Sequence, residues 1–276
     1  MARNPAQFAS GGLARAERLL RGLRRHLSRP ARPGQTERPN DADEWASLYA
    51  AERRPVRTLE SPIARALTRC SFPGELLLET GCGAAAISAE LATTGRRVAL
   101  ADFSEAILIR ARALFEASGL PAPETTVCDL TRPLPWADQS VDVTWSSGVL
   151  EHWPDAELVP IVREQARISR RRVIALVPHA GCLAYRWGKS VAEAEGTWPF
   201  GRELPRASLR AVFEQAGLRD VTEETLWAEA GMDFLNFVDP EIRREAAAWL
   251  AGLPADDPIR QQQGYLLMTV GSVPAP

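Results

Sequence analysis

At 276 residues, with 45% hydrophobic and 25% charged residues, the chain is long enough to bury a sizeable core as one large α/β domain with additions. Its longest apolar runs are strand-sized, which excludes a membrane-spanning helix, and Cys70, Cys82, Cys128 and Cys182 lack paired spacing, which favours reduced thiols in the cytoplasm over disulfides or a zinc site. The net charge of −2 hides an asymmetry: residues 1–40 carry nine Arg against two acids, Glu17 and Glu37, a net of +7 that leaves −9 on the remainder.

Residues 1–40 read as a basic, Pro-rich extension. Leu19, Leu20, Leu23 and Leu27 share one face of a predicted helix over 13–27, with Arg on the other, and Pro30, Pro33 and Pro39 stop it. It is expected to be a mobile extension or to pack on a neighbouring subunit in a homodimer. A membrane-surface, nucleic-acid or transit role fits the composition less well.

Residues 41–70 read as a helical lead-in, with Trp45 and Tyr49 one turn apart on a common face. The pair is expected either to form part of a lid or to pack onto the core. Next comes a short apolar run, Leu76 to Leu78, typical of a parallel strand covered on both faces; Gly81 and Gly83 interrupt it where the backbone must turn. Residues 84–91 are strong helix formers, so their first amides are expected to point back toward the strand ends, where Glu79 could accept from a cationic group. The turn departs from the dinucleotide fingerprint, because Ala holds the third glycine position.

The second strand, 97–101, ends in Asp102-Phe103-Ser104, roughly 20 residues past the glycine turn, where a Rossmann-like site places an acid on ribose hydroxyls. Those hydroxyls are donors that need an acceptor when buried. Asp102 or Ser104 could also cap the helix over 104–118, which Gly119 and Pro121 close. Strand three, 124–128, leads to Asp129-Leu130 and a Pro-rich loop with Trp136, which is expected to pack near a ligand or to pin the loop. Strand four, 141–145, leads through Ser147 to Glu151-His152.

An amphipathic helix over 155–169 precedes strand five, 173–177, broken by Pro178 and followed by His179. The insertion over 181–203 holds Tyr185, Arg186, Trp187, Lys189, Trp198 and Phe200, which suit a pocket for a planar or apolar molecule or a lid packed on its own helices. A helix over 208–216 ended by Gly217, a strand over 218–226, a helical or lid element over 234–250 and a last strand over 265–270 complete the chain.

The order of these signals resembles motif I and its sequels in the class I S-adenosylmethionine-dependent methyltransferases, especially their small-molecule branch. The match runs through Glu79-x-Gly81-x-Gly83, Asp102, Cys128-Asp129 and Glu151-His152, within a resemblance spanning 41–276. It implies an α/β fold: a Rossmann-like, doubly wound, seven-stranded sheet, mostly parallel with one antiparallel strand, helices on both faces and cap insertions at 180–205 and 228–252. S-adenosyl-L-methionine would be held by Glu79, Gly81, Cys82, Gly83, Asp102, Phe103, Asp129, Leu130 and Ser147, with Asp129 and Leu130 on adenine unless Asp129 is a plain turn residue.

The fourth strand's end would face the reacting methyl group. His152 is then the first candidate for a general base and His179 the second. Trp45, Tyr49, Tyr185, Arg186 and Trp198 would contact the substrate, and the implied reaction is methyl transfer to an O or N nucleophile of a small-molecule acceptor. No nucleic-acid module is visible, and stable membrane insertion is not expected. Ubiquinone-type O-methyltransferases offer a metal three ligands in a Glu-x-x-Glu-His segment; Gly148 stands at the first of these positions, so no metal is expected. Two other readings remain: a non-catalytic cofactor-binding or partner protein on the same fold, and a short-chain dehydrogenase. The second rests on Tyr185-x-x-x-Lys189 alone, without that family's glycine turn or serine.

Overall fold

Alternation along the strands sorts the core into two layers. In β1 (Leu76–Thr80), Leu77 packs to one face and Leu78 to the other; in β2 (Arg97–Asp102), Leu100 opposes Ala99 and Ala101. The computed structural model describes residues 40–51 and 54–275, and the helix expected over 13–27 lies outside the described residues. Among the described residues the remaining strands are β3 (Glu124–Val127), β4 (Val141–Ser147), β5 (Ser169–Pro178), β6 (Arg219–Leu226) and β7 (Leu266–Ser272). They form one seven-stranded sheet in the order β3-β2-β1-β4-β5-β7-β6, parallel except that β7 runs antiparallel to both its neighbours. The doubly wound expectation therefore holds, and the order reverses between β1 and β4, where a crevice opens beyond the strands' carboxyl ends.

Helices cover both faces. The helix α1 (Ala42–Leu48) carries a capping box in which Asp41 accepts from Glu44 N and Glu44 returns the bond to Asp41 N. It is followed by α2 (Pro62–Arg69), α3 (Ala86–Ala92) and α4 (Glu105–Ser118), whose apolar sides meet Leu77, Leu100, Val143 and Trp145. On the opposite face α5 (Asp155–Ile168) and α7 (Arg210–Gln215) pack on Val173, Ala175 and Val177, with α6 (Leu183–Glu195) between them in sequence. The cap is α6 with α8 (Ala228–Asp233), a 3-10 turn at Phe234–Phe237 and α9 (Pro240–Ala251), followed by the short α10 (Pro258–Gln262). It has its own core, in which Tyr185, Trp198, Met232, Leu235 and Leu250 are buried.

The lead-in over 41–70 is not one helix. α1 ends at Leu48 with Tyr49 as its C-cap, residues 54–60 are irregular, and Pro62 starts a new helix at its first turn, with Ser61 capping Ile63 N.

Candidate active site

The glycine turn is forced on the chain by both conformation and space. Gly81 and Gly83 have φ of +68° and +49°, and Ala85, which opens α3, also sits in the left-handed region at +52°. A Cβ on Gly81 would stand 2.6 Å from Val149 Cγ2, and one on Gly83 would stand 2.9 Å from Tyr49 Cζ. The amides of Gly81 and Cys82 donate to Ala101 O at 2.8 and 3.1 Å, tying the turn to β2. At the end of β2 the Asp102 carboxylate accepts from Gly83 N at 3.3 Å and from Ser104 N at 3.0 Å. Ser104 holds the N-cap position of α4 without a side-chain bond, so Asp102 braces the turn rather than capping that helix.

These strand ends frame a cavity of about 230 Å³. Trp45, Tyr49, Gly81, Gly83, Asp102, Phe103, Asp129, Leu130 and His152 all line it, so the sequence-predicted lid, turn, acids and first base converge on one crevice. Trp45 and Tyr49 stack with ring centroids 6.1 Å apart, and Trp45 meets the His152 ring edge-on at 5.2 Å. Asp129 makes an Asx turn, with Oδ1 accepting from Thr131 N and Oγ1, while it lies on the cavity wall. Ile107, Cys128, Gly148, Val149 and Trp153 complete the lining. Cys128 stood in the Cys128-Asp129 match and Gly148 at an absent metal-ligand position, neither as a lining residue, while Ile107, Val149 and Trp153 were not singled out at all.

Several expected contacts lie elsewhere. Glu79 and Cys82 are buried beside the turn and Ser147 ends β4 opposite Leu176, but none of the three lines the cavity; Gly148, at φ +71°, takes the place expected of Ser147. His179 is also absent from the lining: its Nδ1 lies 3.2 Å from Gly264 O and its ring fills the space beside Gly181. Tyr185 and Trp198 face the cap core, with Tyr185 5.0 Å from the Phe234 ring and 5.2 Å from that of Tyr265, so they stand behind the cavity rather than in it. Arg186 is exposed and reaches Ala180 O. Lys189 bonds Glu193, and with Tyr185 it sits away from the glycine turn, which removes the dehydrogenase pair. Trp136 pins its loop: its carbonyl accepts from Arg167 and its ring packs by Leu134.

Burial sets the charges. It pushes the Glu79 carboxyl up to about 8, and Glu79 Oε2 is buried without a partner. Asp102 is also raised by burial but held back by the amides of Ser104, Gly83 and Phe103. The Cys82 and Cys128 thiols are pushed up by burial and then by nearby carboxylates, Cys128 to about 11, so neither is a thiolate nucleophile. Burial lowers His152, against an opposing pull from the carbonyls of Arg202 and Gly148. Its Nδ1 lies 2.5 Å from Arg202 O. A carbonyl can only accept, so Nδ1 carries the proton and Nε2 is the basic nitrogen of the neutral ring. The lock is mutual, since the Arg202 guanidinium donates to His152 O at 2.9 and 3.2 Å.

This donor set fits a nucleoside that carries a positive charge: an orphaned carboxylate oxygen at the end of β1, a turn whose missing Cβ atoms leave room for a close approach, and an acid at the end of β2. Among the described residues no three His, Cys, Asp or Glu side chains gather into a metal site.

Comparison with known proteins points the same way. Residues 78–177 match the family described as "Methyltransferase domain". Over 209 residues the chain is 31% identical to the methyltransferase GfsG of Streptomyces halstedii, covering 72% of this chain and 74% of that protein. Two solved structures share the fold at lower identity. One is a Haloferax volcanii chain described as a methyltransferase, in complex with the Trm112 methyltransferase activator (23% identity, TM-score 0.57, 85% of this chain and 96% of that one). The other is the Synechocystis magnesium protoporphyrin IX methyltransferase with bound S-adenosylhomocysteine (18% identity, TM-score 0.53, 84% and 94%).

Proposed function

Because the chain belongs to the class I S-adenosylmethionine-dependent methyltransferases, we propose that it methylates an oxygen or nitrogen nucleophile of a small molecule, with His152 as the general base. One observation carries this reading: the glycine turn, Asp102 and His152 border the same crevice as Trp45 and Tyr49. Bound S-adenosylmethionine supplies a methyl group already made electrophilic by its sulfonium. The chain's part is then alignment, exclusion of water and management of one proton.

In this proposal the backbone at Gly81 and Gly83 holds the amino-acid end of the cofactor, with Glu79 buried beside the turn. Asp102 accepts from the ribose hydroxyls, which its two backbone bonds leave lone pairs to do. Asp129 and Leu130 flank the base. Trp45 and Tyr49 close over the crevice, and His152 Nε2 takes the acceptor's proton while Nδ1 stays on Arg202 O. A small acceptor rather than nucleic acid is supported by the crevice's size and by the net −9 of residues 41–276. We assign 1–40 to an extension and 41–276 to the catalytic domain. Free Cys70, Cys82, Cys128 and Cys182 favour work in the cytoplasm, and among the described residues no helix is long and apolar enough to cross a membrane.

Calorimetry with S-adenosylmethionine followed by a labelled-methyl transfer screen tests the proposal. Binding with transfer to an alcohol, phenol or amine is the expected result. Binding without transfer to any acceptor class would favour the non-catalytic alternative.

A further inference from the structure

The turn that carries His152 is too short to hold itself rigidly. It is a 3-10 turn of three residues, Leu150–His152, with bonds of 3.2 Å from His152 N to Val149 O and 3.4 Å from Trp153 N to Leu150 O. A turn of that length leaves its last carbonyls without helical donors. Three successive carbonyls are met from the cap instead. Leu204 N donates to Glu151 O at 2.8 Å, the Arg202 guanidinium donates to His152 O from Nη2 at 2.9 Å and from Nε at 3.2 Å, and the Arg206 guanidinium donates to Trp153 O.

The segment 199–206 that supplies these donors is itself anchored at both ends. Arg206 N donates to Pro178 O at 2.9 Å and Arg206 O accepts from Ala180 N at 2.8 Å, which ties it to the end of β5. Near its other end Pro199 O accepts from Asn40 Nδ2 at 2.9 Å, and the Phe200 ring stacks on Trp45 at 6.3 Å, which ties it to α1. Within this strap Arg202 is the residue that reaches the histidine from both sides. Its guanidinium grips His152 O, and its own carbonyl lies 2.5 Å from His152 Nδ1. A ring held in this way keeps one tautomer, because the partner of one nitrogen decides where the proton sits. Two parallel donors on one carbonyl are what a planar guanidinium supplies and a lysine does not.

Resting on the reading of His152 as the general base, we propose that Arg202 is a positioning residue for methyl transfer. Its carbonyl keeps the proton on Nδ1 and so reserves Nε2 for the acceptor, while its guanidinium fixes the turn on which that ring rides. The cap thereby orients the base, although its aromatic core stands behind the cavity. Arg202 touches neither cofactor nor acceptor in this scheme and acts through His152.

The full chain, with its histidine ring nitrogens labelled and S-adenosylhomocysteine bound, is titrated through neutral pH by NMR, and His152→Ala and His179→Ala assign the signals. In the unmodified chain His152 should carry its proton on Nδ1 and titrate below 6.5, since burial and the Arg202 and Lys189 charges disfavour the imidazolium. In Arg202→Ala the ring should show mixed tautomers and titrate closer to 6.5, with His179 unmoved. With any alcohol, phenol or amine found in the labelled-methyl screen, kcat of this variant should fall about tenfold while S-adenosylhomocysteine affinity stays within about twofold. Arg202→Lys, which keeps the charge without the fork, should recover only part of the rate and of the tautomer preference, and it carries the test if the Ala variant does not fold. A ring protonated on Nε2 in the unmodified chain, folded variants that titrate and turn over as before, or loss of folding in both variants would overturn the proposal. Full activity of His152→Ala, or no transfer to any acceptor, would instead overturn the reading beneath it.

Discussion

The cofactor side and the cap side of the crevice both rely on carboxylates, but hold them differently. Asp102 is fixed by two backbone amides at the end of a central strand, so its position follows from the sheet. Glu151 and Glu203 are instead brought together by a lock between a 3-10 turn at Leu150–His152 and a loop some fifty residues later, and burial raises the pKa of both carboxyls. A carboxylate pinned by backbone is suited to a cofactor that does not vary. One carried on a turn and a cap loop is free to differ between related enzymes along with the cap.

The strongest way to break the cofactor half is Gly81→Val. Left-handed strain and the clash with Val149 should together cost on the order of 2–4 kcal/mol, lower the melting temperature by about 5–10 °C and abolish detectable S-adenosylmethionine binding by calorimetry. Asp102→Ala comes next, with affinity for the methyl donor expected to fall about a hundredfold, because sugar hydroxyls and the Gly83 amide lose their acceptor. Unchanged affinity would remove Asp102 from the site.

On the reacting side, His152→Ala should lower kcat about a hundredfold with donor affinity retained. Burial lowers the pKa of His152, so the neutral base persists through neutral pH, and the rate of the unmodified enzyme should fall only below about pH 6.5. A rate that already declines between pH 8 and 7 would contradict this.

A smaller effect sharpens the comparison through stability. The folded pKa of Glu79 is raised from 4.5 to about 8, so its contribution is fully present below pH 4.5 and is lost as pH rises through 8. Without ligand, the protein should lose up to about 1.4 kcal/mol per pH unit across that window, and Glu79→Gln should flatten the slope in denaturant titrations. The smallest effect is expected from His179→Ala, which should leave donor affinity within about twofold, since that ring packs on Gly181 outside the crevice.

What was legible in the sequence follows the same division. Parallel strands joined by helices present their carboxyl ends in chain order, so the turn at Gly81 and Asp102 after β2 followed from the strand-turn-helix pattern, while Asp129 after β3 and His152 after β4 followed from the family resemblance. Gly148 rather than Ser147 lines the cavity, because its positive φ turns the chain out of β4 just beyond Ser147. His179 also follows a strand end, but β5 is flanked there by β7, and the loop packs toward Gly264 instead of the crevice. In the cap, Tyr185 and Trp198 satisfied a pocket and a core equally well, and three-dimensional packing with Phe234 and Tyr265 decided between them. The break in the lead-in was missed: α1 stops at Leu48 and α2 begins at Pro62, a first-turn proline that marks a helix start.

The position of β7 has a consequence for how the chain is made. It lies between β5 and β6, and β6 hydrogen-bonds to no other strand of the sheet. A ribosome that has delivered the chain only through Leu226 has therefore released a strand with no ladder to join, beside a β5 edge rich in Val, Ile and Leu. That edge stays open to chaperones, or to a neighbouring nascent chain, until Leu266–Ser272 clears the exit tunnel and slots in antiparallel. Completion of the sheet therefore waits on Leu266–Ser272, which joins β5 to β6, rather than on growth outward from the glycine turn.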